Sequence, residues 1–121
     1  MHKLNDLTIW QRSIDLSVNI YKLTSTFPDE ERFGLISQMR RAAISIASNI
    51  AEGAGRNSHK EFIQFLSISN GSAYELQTQL IISTQLGFVD EFTANSILPM
   101  IDEIQKMNYG LQASIEKRIK K

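Results

Sequence analysis

Residues 38–56, QMRRAAISIASNIAEGAGR, decide how this chain is read. At 3.6 residues per turn, Met39, Ala42, Ala43, Ile46 and Ile50 line one side of a helix, and Leu35 extends that row backwards. Gln38, Arg41, Ser45, Ser48, Asn49 and Glu52 share an arc of about 100°. Arg40 lies elsewhere, near the edge of the apolar face. The polar arc is not the usual mixture of Lys and Glu. Its side chains are short and hydrogen-bonding, and Ile44 sits beside it. Three readings follow. The arc is a solvated face opposite the core. Or it is an interface, where small side chains let another helix come close, Arg41 and Glu52 pair across it and Asn49 holds register. Or it is a nucleic-acid or ligand site. Gly53 and Gly55 are read as the helix stop, in the left-handed conformation of a cap residue.

The glycines also invite a phosphate-loop reading, and the spacing rejects it. GAGRNSHK, residues 53–60, lacks both the Gly-Lys-Ser/Thr ending and a preceding strand. Arg56, His59 and Lys60 stand at the start of the next helix, where bare N–H groups can receive an anion.

Working outward, Trp10, Ile14, Val18 and Tyr21 share one face of a helix over about residues 7–25. Ile9, Leu16, Ile20 and Leu23 form a second apolar row. Little more than Gln11, Arg12, Asp15, Asn19 and Lys22 remains polar, so the helix is apolar over more than half its circumference. An outer helix of a monomer needs a narrower stripe. This one lies deep in a bundle or meets a second subunit. Pro28 then disfavours helix at Phe27, and Asp29, Glu30 and Glu31 suit the positive end of a second helix over about residues 32–54.

Ser58 followed by Glu61 is a capping box that opens a third helix, over about residues 58–86. Phe62, Phe65, Leu66, Ala73, Leu76 and Leu80 form its apolar row, and Gly87 stops it. Gly71, inside this helix, costs about 1 kcal/mol relative to Ala and is read as permitting a close backbone approach. Glu75 either faces solvent or pairs with an arginine of the second helix. A fourth helix, over about residues 90–118, buries Ile97, Met100, Ile101, Ile104, Leu111 and Ile115. Pro99 predicts a kink or break there, with the second half displaced. Short connections force antiparallel neighbours. The predicted fold is all-α, a single antiparallel up-down-up-down four-helix bundle.

Thirteen Lys and Arg balance thirteen Asp and Glu, which argues against general nucleic-acid binding but leaves room for a local basic patch. The chain has no cysteine, which excludes disulfides and Cys-ligated zinc and fits a reducing cytoplasm. The first residues lack the apolar core of a signal peptide, and no run approaches the roughly 20 residues of a membrane span. The expected location is cytoplasmic, with no membrane partner. No catalytic, cofactor or metal constellation is found. The two histidines, His2 and His59, form no Glu-x-x-His pair, and adjacent acids on a helix point about 100° apart. No cofactor and no enzymatic activity are expected.

Two stretches carry a resemblance that covers almost the whole chain. RRAAISIASNIAEG and GSAYELQTQL, with Arg40, Arg41, Ser45, Asn49, Glu52, Gly53, Gly71, Ser72 and Glu75, resemble the four-helix-bundle proteins encoded within intervening sequences of bacterial 23S rRNA genes. Members are small bacterial proteins without a known enzymatic activity. The family is similar to the accessory variability determinant of diversity-generating retroelements, a strongly basic pentameric barrel that works with a reverse transcriptase and nucleic acid. The resemblance implies a homo-oligomer, a pentamer, whose interface or motif residues are Arg40, Arg41, Ser45, Asn49, Glu52, Gly53 and Glu75. The first functional reading is therefore a non-enzymatic oligomeric scaffold or interaction protein. The alternative is an accessory protein that binds RNA or DNA, or a nucleic-acid enzyme, through Arg40, Arg41, Arg56, Lys60, Lys117, Arg118, Lys120 and Lys121.

Overall fold

Four α-helices account for most of the chain: α1 (Thr8–Thr24), α2 (Ser37–Ala54), α3 (His59–Gln85) and α4 (Glu91–Ile119). The computed structural model describes residues 3–120. Neighbouring helices run antiparallel. Ser17 Oγ reaches Ala43 O while Arg40 reaches back to Tyr21 O, so α1 and α2 oppose each other. Ser45 meets Ser72 as Met39 meets Ser83, which sets α3 against α2. Asn108 donates to Leu66 O and Gln105 to Gln77, which sets α4 against α3. Arg12 and Glu103 join α1 to α4.

The core is formed by the predicted rows of α2, α3 and α4 and by one of the two rows of α1. Leu16, Ile20, Met39, Ile46, Ile50, Leu66, Leu76, Leu80, Ile101 and Ile115 are fully buried. Within it, Asn108 Nδ2 satisfies the Leu66 carbonyl at 2.9 Å, and Ser69 Oγ donates to Ile46 O at 2.9 Å. These two buried side chains are thus paired across helices, while the buried Thr24 and Ser83 hydroxyls bond back to carbonyls of their own helices, Ile20 O and Gln79 O.

Three helix ends follow local chemistry. Ser58 Oγ accepts from the Glu61 amide, and Asp90 accepts from the Thr93 amide. After α3, Gly87 takes φ +85°, and the Phe88 and Gly87 amides close on Ser83 O and Thr84 O. That is the doubled hydrogen-bond pattern of a left-handed glycine terminus.

Four expectations are corrected. The second α-helix begins at Ser37, not near residue 32. A 3-10 turn (Asp29–Glu31) leads into a π-helical turn (Arg32–Ile36) in which Gly34 lies at φ −106°, ψ −114°. The cause is a side chain: Glu31 Oε1 takes the Leu35 amide that a backbone carbonyl would hold in an α-helix. Neither Gly53 nor Gly55 is a left-handed stop. Gly53 is buried within α2, and the cap residue Gly55 sits at φ −81°. Gly71 makes no close approach within the chain, because a Cβ there would meet nothing within 4 Å. Finally, α4 runs unbroken through Pro99, and its second half is not displaced: Ile101, Ile104 and Ile115 are all buried. Pro99 and Asn95, the residue whose carbonyl loses its donor, are both exposed, so the missing bond falls on the outer side of the helix.

Candidate functional site

The two seams of α2 separate the predicted site residues. Towards α3, its small side chains serve the chain's own packing. A Cβ on Gly53 would stand 2.8 Å from both Phe62 Cδ1 and Phe65 Cβ, so only glycine admits α3 at this distance. Ser45 Oγ and Ser72 Oγ are 2.8 Å apart, and Asn49 Nδ2 donates to Ser45 O and Ser45 Oγ. Ser45 and Asn49 are half-buried in this network. Glu52 pairs with Arg56 at 3.2 Å, and Arg56 also approaches Glu61 at 3.9 Å and lies over the Phe65 ring. This cluster binds the α2–α3 turn.

Towards α1, Arg40 is turned inward. Its Nε donates to Thr24 Oγ1 at 2.8 Å, its terminal nitrogen to Tyr21 O at 3.2 Å, and its guanidinium covers the Tyr21 ring at 4.5 Å. It caps the carbonyl end of α1, where a cation is favoured. Arg41 is exposed. Glu75 is exposed too and accepts a hydrogen bond from Gln79, at 3.3 Å. Of the two readings of Glu75 the structure has the solvent-facing one: among the described residues, the four acid–base contacts join other groups.

The outer side of the α1–α2 seam is a groove with almost no polar lining. Ile14 (39% exposed), Val18 (49%), Tyr21 (40%) and Ile44 (44%) line it with Ser17 and Lys22. The row of Ile9, Leu16 and Ile20 fills the core; of the other apolar row of α1, Trp10 is half-buried against the core and Ile14, Val18 and Tyr21 are left uncovered. A second uncovered strip runs along α3. Ile68, Glu75, Ile82 and Leu86 fall within about 40° on its outer side, with Gly71 alongside. The sequence reading missed this strip. Its signal was present, since Ile68 and Ile82 are two apolar residues outside the counted row.

The candidate cations do not form one patch. Arg40 and Arg41 sit near the start of α2. Lys60, Lys117, Arg118 and Lys120 are exposed at the other end of the bundle, beside Arg56 and Lys3. Cations outnumber the acids there, Asp6, Glu52, Glu61 and Glu116. Lys121 lies outside the described residues. At the opposite end the five acids Asp29, Glu30, Glu31, Asp90 and Glu91 exceed the four cations Lys22, Arg32, Arg40 and Arg41 by one. There the Thr93 hydroxyl and amide hold the Asp90 carboxyl below its ordinary value of 3.8.

Among the described residues, no group of three or more His, Cys, Asp or Glu could hold a metal ion, and no helix is long and apolar enough to cross a membrane. Fold and surfaces together define an all-α four-helix bundle with uncovered apolar helix faces. The chain belongs to the 23S rRNA-intervening sequence protein family, whose model matches residues 5–110. It is similar in fold to the crystal structure of a protein of unknown function from the S23 ribosomal protein family of Bacteroides thetaiotaomicron. That likeness has a TM-score of 0.81 at 24% identity, over 87% of this chain and 95% of that one. No curated protein sequence matches the chain.

Proposed function

We propose that the protein is a non-enzymatic homo-oligomeric scaffold or interaction protein, and that other copies of the chain cover its apolar helix faces. The carrying observation is the α1–α2 groove. Ile14, Val18, Tyr21 and Ile44 stay 39–49% exposed although the opposite row of α1 is buried. Contiguous apolar surface of this kind marks interaction sites on soluble proteins. Resemblance of the sequence to pentameric relatives supports five subunits. The absence of cysteine supports a cytoplasmic location.

Sedimentation velocity at micromolar concentration tests this. The expected mass is a multiple of 13.7 kDa, and Val18→Glu reduces it to one chain. A wild-type protein that sediments as a monomer overturns the proposal.

A second reading, an accessory protein that binds RNA or DNA, is supported by the exposed Lys60, Lys117, Arg118 and Lys120 at one end. Affinity would then fall steeply with salt. Binding that is undetectable at low salt counts against it. The engaged guanidinium groups of Arg40 and Arg56 contribute little to such a surface.

A further inference from the structure

The groove on α1–α2 and the strip on α3 are two different apolar surfaces of one molecule. The groove is concave, lying between two helices, and its lining is apolar. The strip is the convex side of a single helix. The one charged side chain that lines the groove is Lys22; around it Arg40 stacks on Tyr21, Arg41 stands three residues before Ile44, and Asp15 is the single acid of α1. On α3, Glu75 is the only charged residue from 62 to 89, and none of the ion pairs of the described residues uses it.

Gly71 lies beside the strip, and like Gly110 within α4 it has open space where a Cβ would stand. Glycine in a helix interior weakens the helix, and here nothing within the chain repays that. A Cβ at this position would project into open space, unlike at Gly53, where α3 closes on the backbone.

We infer that assembly is head-to-tail: the α1–α2 groove of one copy receives the outer strip of α3 from the next, with Glu75 set against Lys22 and Arg41. This deepens the oligomer proposal and rests on it. Contacts between unlike patches propagate until the ring closes, whereas contacts between like patches stop at two copies. Only α2 separates the two patches around the bundle, so each step turns the next copy, which favours a closed ring over a straight filament.

Mixing two blocked variants tests the inference. Val18→Glu spoils the groove and leaves the strip intact. Gly71→Trp spoils the strip and leaves the groove intact, and it has room to fold because its own chain offers no obstacle. Circular dichroism checks that both retain their helices. Head-to-tail assembly predicts that each variant alone is monomeric, and that an equimolar mixture forms a species of two chains, one of each kind, and nothing larger. Glu75→Lys in the otherwise unchanged chain weakens self-association at low salt, at least several-fold. A Gly71→Trp protein that still dimerises overturns the inference, since the groove then meets another groove. A mixture that stays monomeric overturns it as well. A monomeric wild type is a different failure, because it removes the oligomer itself.

Discussion

The two seams of α2 use opposite means. On the α3 side the side chains are small and the backbones close: Gly53 lies under Phe62 and Phe65, and Ser45 touches Ser72. On the α1 side the residues are larger and the outer rim stays open, with Val18 and Ile44 near half exposure. A stripe of small residues is commonly read as a landing place for another molecule. Here the chain's own next helix has taken most of it. The surface left for outsiders is aliphatic and lies one seam away.

Substitutions at the two seams should therefore behave differently. Gly53→Val has the largest expected effect on folding. Phe62 is almost fully buried and cannot withdraw, and overpacking of this kind costs about 1–3 kcal/mol. Thermal denaturation of the variant should show a clearly lowered midpoint. An unchanged midpoint would mean that α3 does not sit so close. Gly71→Ala comes next and has the opposite sign. It should stabilise the isolated chain by about 0.5–1 kcal/mol in chemical denaturation, because helix propensity improves and no neighbour is disturbed. At the open seam, Val18→Glu should change the folding free energy of the monomer by less than about 0.5 kcal/mol while abolishing assembly. A large loss of stability there would show that the row supports the core after all.

The smallest effect belongs to Asp90. Its carboxyl is held below 3.8 by Thr93, so the cap contributes stability above that pH and loses it as pH falls through the lowered value. The difference in melting temperature between the wild type and Asp90→Ala should be present at neutral pH and shrink in acid. A difference that persists unchanged to low pH would assign the effect to helix propensity rather than charge.

Much of this architecture was legible because its signals are local. Ser58 with Glu61, Asp90 and Gly87 fix helix ends by bonds that span three to five residues, and α3 and α4 begin and end within about a residue of expectation. The start of α2 was not legible by periodicity, because the Glu31 carboxylate competes with a backbone carbonyl for one amide. Gly53 reads as a stop in one dimension, and only the arrival of α3 gives it its role. Arg40 likewise becomes a cap for α1 through a contact 16 residues away in sequence. The groove was foreshadowed by the wide apolar arc of α1. The strip on α3 was not, since Ile68, Glu75 and Ile82 recur every seven residues and interleave with a stronger core row.

The charge layout described above has a bearing on how copies are oriented. One tip of the rod is rich in lysine and the other in carboxylates, so a chain of zero formal charge still possesses a permanent electric moment along its axis. Parallel copies add their moments and antiparallel copies cancel them. Transient electric birefringence therefore reads the relative polarity of the subunits directly, whatever their number.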